Sequence, residues 1–118
     1  MNNKIYIKIL DNEIWISKNN KLYKEKTNTI LENNFITNYK VLETNLKQII
    51  NKYKLTNLII QNKIYIIINK LYCETNLFIL KTIMYNLGLS NYKLLYEEDL
   101  YKDIYPNILS IWKINGIY

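Results

Sequence analysis

The chain has no arginine, no alanine and no histidine, and only two glycines, one proline and one cysteine among its 118 residues. The missing histidine excludes Ser-His-Asp and Cys-His catalysis and any histidine-ligated metal. A single cysteine, Cys73, excludes an intramolecular disulfide and suits a reducing compartment. Without a histidine to activate it, that thiol reads as inert and not as a nucleophile. Long apolar runs are also absent. The longest, residues 64–68, is far too short to cross a membrane. Residues 1–4 lead into an alternating pattern and not into the apolar heart of a signal peptide. The expectation is a cytoplasmic protein with no membrane partner.

Isoleucine, asparagine, lysine, leucine and tyrosine fill the space left by the missing types. AT-rich codons encode all five, so the composition reads as drift in an AT-rich genome. About half the chain, 49%, is apolar, which is enough for a core in one domain of this length. No repeat, linker or composition break divides it, so residues 1–118 are read as a single domain. The formal net charge is +6, all of its positive part lysine. That balance makes contact with a polyanion feasible. Drift from arginine to lysine on an ordinary solvated surface is the stronger account of it.

Residues 4–10 alternate, with Ile5, Ile7 and Ile9 on one face and Lys4, Tyr6 and Lys8 on the other. This is the period of a half-buried strand. Asp11 and Asn12 form a turn pair. Residues 13–17 alternate again, with Ile14 and Ile16 inward and Trp15 opposite. Asn19 and Asn20 make a second turn, and residues 22–29 form a weaker third strand, giving an antiparallel meander. Residues 32–38 read as loop, and Asn38 can cap a helix over 39–54. Tyr39, Leu42, Leu46, Ile49, Ile50 and Tyr53 share one face of that helix.

Leu58, Ile59 and Ile60 suit a strand buried on both faces, expected beside the first strand. Residues 63–69 either continue that strand across a bulge or fold back as a hairpin. Leu77, Leu80, Ile83, Met84 and Leu87 mark a helix over 74–87, with Gly88 placed to end it. Residues 92–96 form the next strand and lead into the acidic residues Glu97, Glu98 and Asp99. Pro106 can open a last helix to about Lys113. The order β-β-β-α-β-α-β with a short helical tail predicts an α/β domain. Its mixed sheet would be of the ribonuclease-H-like kind, with helices on its faces.

Three blocks carry a more specific likeness. Residues 6–17 align with a first-strand pattern I-x-I-D-x-G-x-K-x-I-G-V-A. Residues 49–53 and 58–63 align with a helix ending K-x-[YW] followed by I-I-V-G-L-P. Residues 92–101 align with a strand ending L-x-D-E-R-L-[ST]. With these blocks the chain resembles the YqgF family, also called RuvX or Holliday-junction-resolvase-like. Its members are nucleases that process the end of pre-16S rRNA in ribosome maturation. In this alignment the family's first-strand Asp falls on Lys8 and its glycine on Leu10. The G-L-P loop falls on Gln61, Asn62 and Lys63. Within D-E-R, Tyr96 and Glu98 flank the retained Glu97. The nearest match to a late Asp is Asp103.

The resemblance implies a metal-dependent nuclease acting on phosphodiester bonds, with RNA as partner. Glu97, Asp11 and Asp103 would be the catalytic carboxylates, and Glu97 and Asp11 would hold Mg²⁺ or Mn²⁺. Lys63 and Lys70 would border the nucleic-acid groove. Each also reads as plain surface: Glu97 to Asp99 as the acidic start of a helix, the two lysines as solvated side chains. Trp15 and Trp112 could stack on bases but suit core packing better. Two alternatives remain. One is a catalytically dead RNA- or protein-binding domain of this fold. The other is a fragment related to actin-like ATPases, which residues 35–39 and the Glu97–Glu98 pair also resemble. The actin-like fragment would need glycine-rich phosphate loops, and the chain offers none around Asp11.

Overall fold

The alternating N-terminal pattern folds as three antiparallel strands. In the computed structural model of the chain, residues 4–55, 63–68 and 71–97 are described. The elements are β1 (Lys4–Ile9), β2 (Glu13–Lys18), β3 (Lys21–Lys26), β4 (Leu31–Glu32) and β5 (Phe35–Ile36). They continue with α1 (Tyr39–Lys52), β6 (Lys63–Ile68), α2 (Glu74–Asn86) and β7 (Tyr92–Tyr96). Five strands form one mixed sheet in the order β3-β2-β1-β6-β7. β2 runs antiparallel to both β1 and β3, while β6 and β7 run parallel to β1. The result is a small α/β domain compatible with a ribonuclease-H-like or an actin-like fold.

Asparagine does the work that glycine does elsewhere. Asn19 and Asn20 have φ of 53° and 63°, and Asn33 and Asn34 have 50° and 66°. Positive φ at both central residues is what a two-residue hairpin needs. Asparagine tolerates it better than other residues that carry a Cβ. The first pair closes the expected turn between β2 and β3. The second builds a hairpin from β4 and β5, with Leu31 opposite Ile36, where the polar composition predicted only loop.

Asn38 caps α1 as expected, accepting a hydrogen bond from the Val41 amide. The helix stops at Lys52 and not at 54, because Lys54 takes a left-handed φ of 52°. Tyr39, assigned to the inner face, is instead half exposed. α2 ends as expected, with Gly88 at φ +73° just past its last turn.

Both helices sit on one face of the sheet. Leu42, Leu46, Ile49 and Ile50 of α1 and Leu80, Ile83 and Met84 of α2 join one buried cluster. It also holds Ile5, Ile7, Ile9, Ile14, Ile16, Ile64, Ile66 and Ile68. The opposite face carries a second cluster of Tyr6, Trp15, Tyr65 and Ile67, with the Tyr6 and Tyr65 rings stacked at 5.1 Å. β1 and β2 are therefore buried on both faces, whereas simple alternation predicted half-burial. Trp15 is a core residue, as expected of its large apolar side chain.

The strand beside β1 is β6, in register Ile5 to Ile64 through Lys8 to Ile67. Residues 63–68 are thus an internal, doubly buried strand flanked by β1 and β7, and not a hairpin arm. Their length and unbroken apolar run fit that position. The expected neighbour, Leu58 to Ile60, lies outside the described residues. So do Lys70, Glu98, Asp99, Asp103, the last helix and Trp112.

Candidate functional site

The carboxyl ends of β1 and β7 and the turns beside them enclose a polar cleft of about 400 Å³. Lys8, Asp11, Asn12, Asn34, Tyr72 and Glu97 contribute its polar groups. The β1–β2 turn forms one wall. The Leu10 amide closes it by donating to the Glu13 carbonyl at 2.8 Å. The Asp11 carbonyl then accepts from the Ile30 amide at 2.7 Å, and the Asn12 carbonyl accepts from Thr27 at 2.9 Å. The backbone of this turn is thereby tied to the segment that leads into β4, leaving the Asp11 side chain exposed.

The β4–β5 hairpin forms a second wall, held by Asn76. This residue of α2 is 1% exposed. Its side-chain oxygen accepts from the Ile36 amide at 3.0 Å and its nitrogen donates to the Asn34 carbonyl at 2.5 Å. One buried amide thus satisfies two backbone groups and fixes the hairpin against α2.

Lys8 is the centre of the site. Its Nζ donates to Glu97 Oε1 at 2.6 Å, and the two side chains are only 12% and 19% exposed. Glu97 is therefore the counter-ion of the Lys8 ammonium. Tyr72 lies beside them. Burial pushes its phenol well above the ordinary tyrosine range, and the negative charges of Asp11 and Glu97 push it further.

Asp11 and Glu97 both line this cleft, although the strands that precede them, β1 and β7, are not neighbours but flank β6. Lys63 does not line it. Lys63 opens β6 opposite Lys4, four residues from the level of Lys8, or about 13 Å along the sheet. Asp103 and Lys70 lie outside the described residues. A divalent ion of the expected kind needs about three converging oxygens of acidic groups. Among the described residues no group of three or more Asp, Glu, Cys or His could hold a metal. Lys8 adds a positive charge at the same point, so the described donors do not fit Mg²⁺ or Mn²⁺.

Sequence reading missed the ion pair, Tyr72 and Asn76. Lys8 and Glu97 are 89 residues apart. Tyr72 is one of twelve tyrosines and Asn76 one of many asparagines. The doublet Asn33-Asn34 was a legible signal for the hairpin that carries Asn34.

The chain matches no protein-family model, and no curated protein matches it. Among solved structures it is similar to MreB5 of Spiroplasma citri bound to ADP, with a TM-score of 0.67 and 12% identity over 82% of this chain. The chain spans 39% of the length of that protein. A likeness at this identity establishes fold and nothing finer. No helix among the described residues is long and apolar enough to cross a membrane.

Proposed function

We propose that the chain is a binding domain, built on the fold that ribonuclease-H-like nucleases and actin-like ATPases share, in which hydrolysis has been silenced. The Lys8–Glu97 ion pair carries this reading. Its ammonium neutralises the retained carboxylate from within the chain, which is the role a metal has in the nuclease chemistry. A divalent ion brought to the same carboxylate would meet that positive charge at short range, in a setting of reduced dielectric. The excess of lysine, with a net charge of +6, supports RNA as the partner. The cytoplasm is the matching compartment.

The nuclease implied by the YqgF resemblance is the competing proposal, favoured by Asp11 and Glu97 bordering one cleft. A titration of Mg²⁺ or Mn²⁺ into the wild type, Lys8→Asp and Glu97→Gln, with labelled structured RNA, separates the two. The binding reading expects wild-type protein to retain RNA without cutting it, with or without metal. Lys8→Asp, which removes the ammonium and adds a carboxylate, is expected to gain metal affinity. Metal-dependent cleavage by the wild type, abolished in Glu97→Gln, would establish the nuclease instead.

The likeness to MreB5 bound to ADP favours a second reading, a nucleotide-binding fragment of the actin-like kind. Against it stands the β1–β2 turn. It carries Asp11 and no glycine, where close approach to phosphate favours bare backbone and no negative charge. Calorimetry with ADP on the intact chain decides this point: saturable binding would support the actin-like reading.

A further inference from the structure

We propose that the cleft is a binding site for an organic monocation rich in N–H donors, a guanidinium or primary ammonium group, held between Asp11 and Tyr72. This goes beyond RNA binding, and it rests on the reading of the cleft as non-catalytic. Two independent observations carry it. The first is the charge of the cleft. Its charged side chains among the described residues are Lys8, Asp11 and Glu97. Lys8 and Glu97 neutralise each other at 2.6 Å, which leaves, among the described residues of the cleft, the single negative charge of Asp11. One monovalent cation balances it. A phosphate would be repelled, and a hard divalent ion lacks its ligand set.

The second observation is Tyr72. The residue is 9% exposed and borders the cleft. Its hydroxyl has no hydrogen-bond partner among the described residues. A largely buried phenol that borders the cleft without a protein partner for its hydroxyl among the described residues leaves that oxygen open to a ligand. Its oxygen can accept an N–H from a group seated against Asp11, which gives the hydroxyl a partner. A carboxylate and a phenol oxygen are both acceptors, which selects a ligand made of donors. The cleft's volume of about 400 Å³ admits a group of amino-acid size. Such a cation reaches the cleft either as an arginine or lysine side chain of a partner or as a free polyamine.

Calorimetry and amide chemical shifts on the full chain test this with N-acetyl-arginine amide, its neutral citrulline counterpart, spermidine and Mg²⁺. The expected result is binding of the guanidinium or of spermidine, with citrulline at least ten times weaker. A preference for the arginine amide points to a protein side chain, a preference for spermidine to a free polyamine. Asp11→Asn is expected to weaken binding about 10-fold or more, as loss of a charged hydrogen-bond acceptor does. Tyr72→Phe is expected to weaken it roughly 2- to 10-fold while leaving thermal stability unchanged or higher, because the unpaired hydroxyl is removed. A merely structural Tyr72 would instead destabilise on substitution and leave affinity alone, which would overturn the proposal. Equal binding of citrulline and arginine amides, or binding of neither cation by the folded wild type, would also overturn it and leave RNA binding standing. Tight Mg²⁺ binding with RNA cleavage would overturn both readings.

Discussion

An ammonium and a carboxylate at 2.6 Å, each less than one fifth exposed, depend on each other more than a surface pair does. Lys8→Met removes one partner and leaves Glu97 charged in a partly buried cleft. The expected cost is about 1–3 kcal/mol, below the full penalty of a deeply buried orphan because some solvent reaches the pair. Adding Glu97→Gln should return most of that loss. Denaturant unfolding of the two single variants and the double variant measures the coupling. Additive effects would mean that the pair contributes nothing jointly. Asp11 differs in kind. Its backbone carbonyl holds the wall of the cleft through Ile30, while its exposed side chain is left for the cleft. Asp11→Asn can therefore alter binding with little change in fold.

At the scale of elements, the helices show where packing energy resides. Leu80 is fully buried at the centre of the inner face of α2. Leu80→Ala removes apolar contacts and leaves a cavity, at an expected cost of about 2–5 kcal/mol, read as a lower unfolding midpoint. A loss under roughly 0.5 kcal/mol, the size of an ordinary surface substitution, would show that the wrong face had been assigned. The end of α1 is fixed differently. Lys52 and the Tyr53 hydroxyl both donate to the Glu25 carboxylate of β3, and Lys18 donates to the Tyr53 carbonyl at 2.6 Å. The hydrogen bond from Lys52, and after it that from Tyr53, holds the Glu25 carboxyl below its ordinary value of 4.5. A folded-state pKa below the unfolded one gives stability that is present above about 4.5 and is lost as the pH falls through the lowered value. Glu25→Gln should therefore flatten the acid limb of the stability profile and change little near neutrality beyond the loss of the contacts. Melting curves from neutral to acid pH, with the variant beside the wild type, measure this. Identical acid limbs would remove Glu25 from the account.

For the molecule as a whole, sheet order and charge set what can bind where. β3 is an edge strand lined with Lys21, Lys24 and Lys26. Charge on an edge discourages pairing with another chain, and the same lysines lie open to a polyanion. The cleft at the carboxyl ends of β1 and β7 carries the opposite balance. RNA is therefore expected to bind the lysine-bearing surface and not the cleft. Its association constant should fall linearly with salt on logarithmic axes, with a slope of roughly −0.7 for each phosphate of a single strand that is contacted. Lys24→Glu should reduce that slope, whereas Asp11→Asn should leave it unchanged. Filter binding at several salt concentrations tests both, and a salt-independent affinity would remove electrostatic RNA binding altogether.

Local chemistry determined much of this protein. Period-two alternation marked β1 and β2, helical spacing marked α1 and α2, and Asn38 and Gly88 marked the points where those helices start and stop. The Asn19-Asn20 doublet marked a tight turn. All of these are interactions between residues close in sequence, so their signature is written in consecutive positions. The assembled sheet decided the rest. Residues 63–68 are equally apolar as an edge, a hairpin arm or an internal strand, and only pairing with β1 on one side and β7 on the other made them internal. The sequence placed Asp11 and Glu97 at element ends and suspected that they meet. That Lys8 joins Glu97 there, 89 residues away in the chain, depends on three strands lying side by side in register. An ion pair of that kind leaves no periodic trace, because its partners are neighbours in space alone.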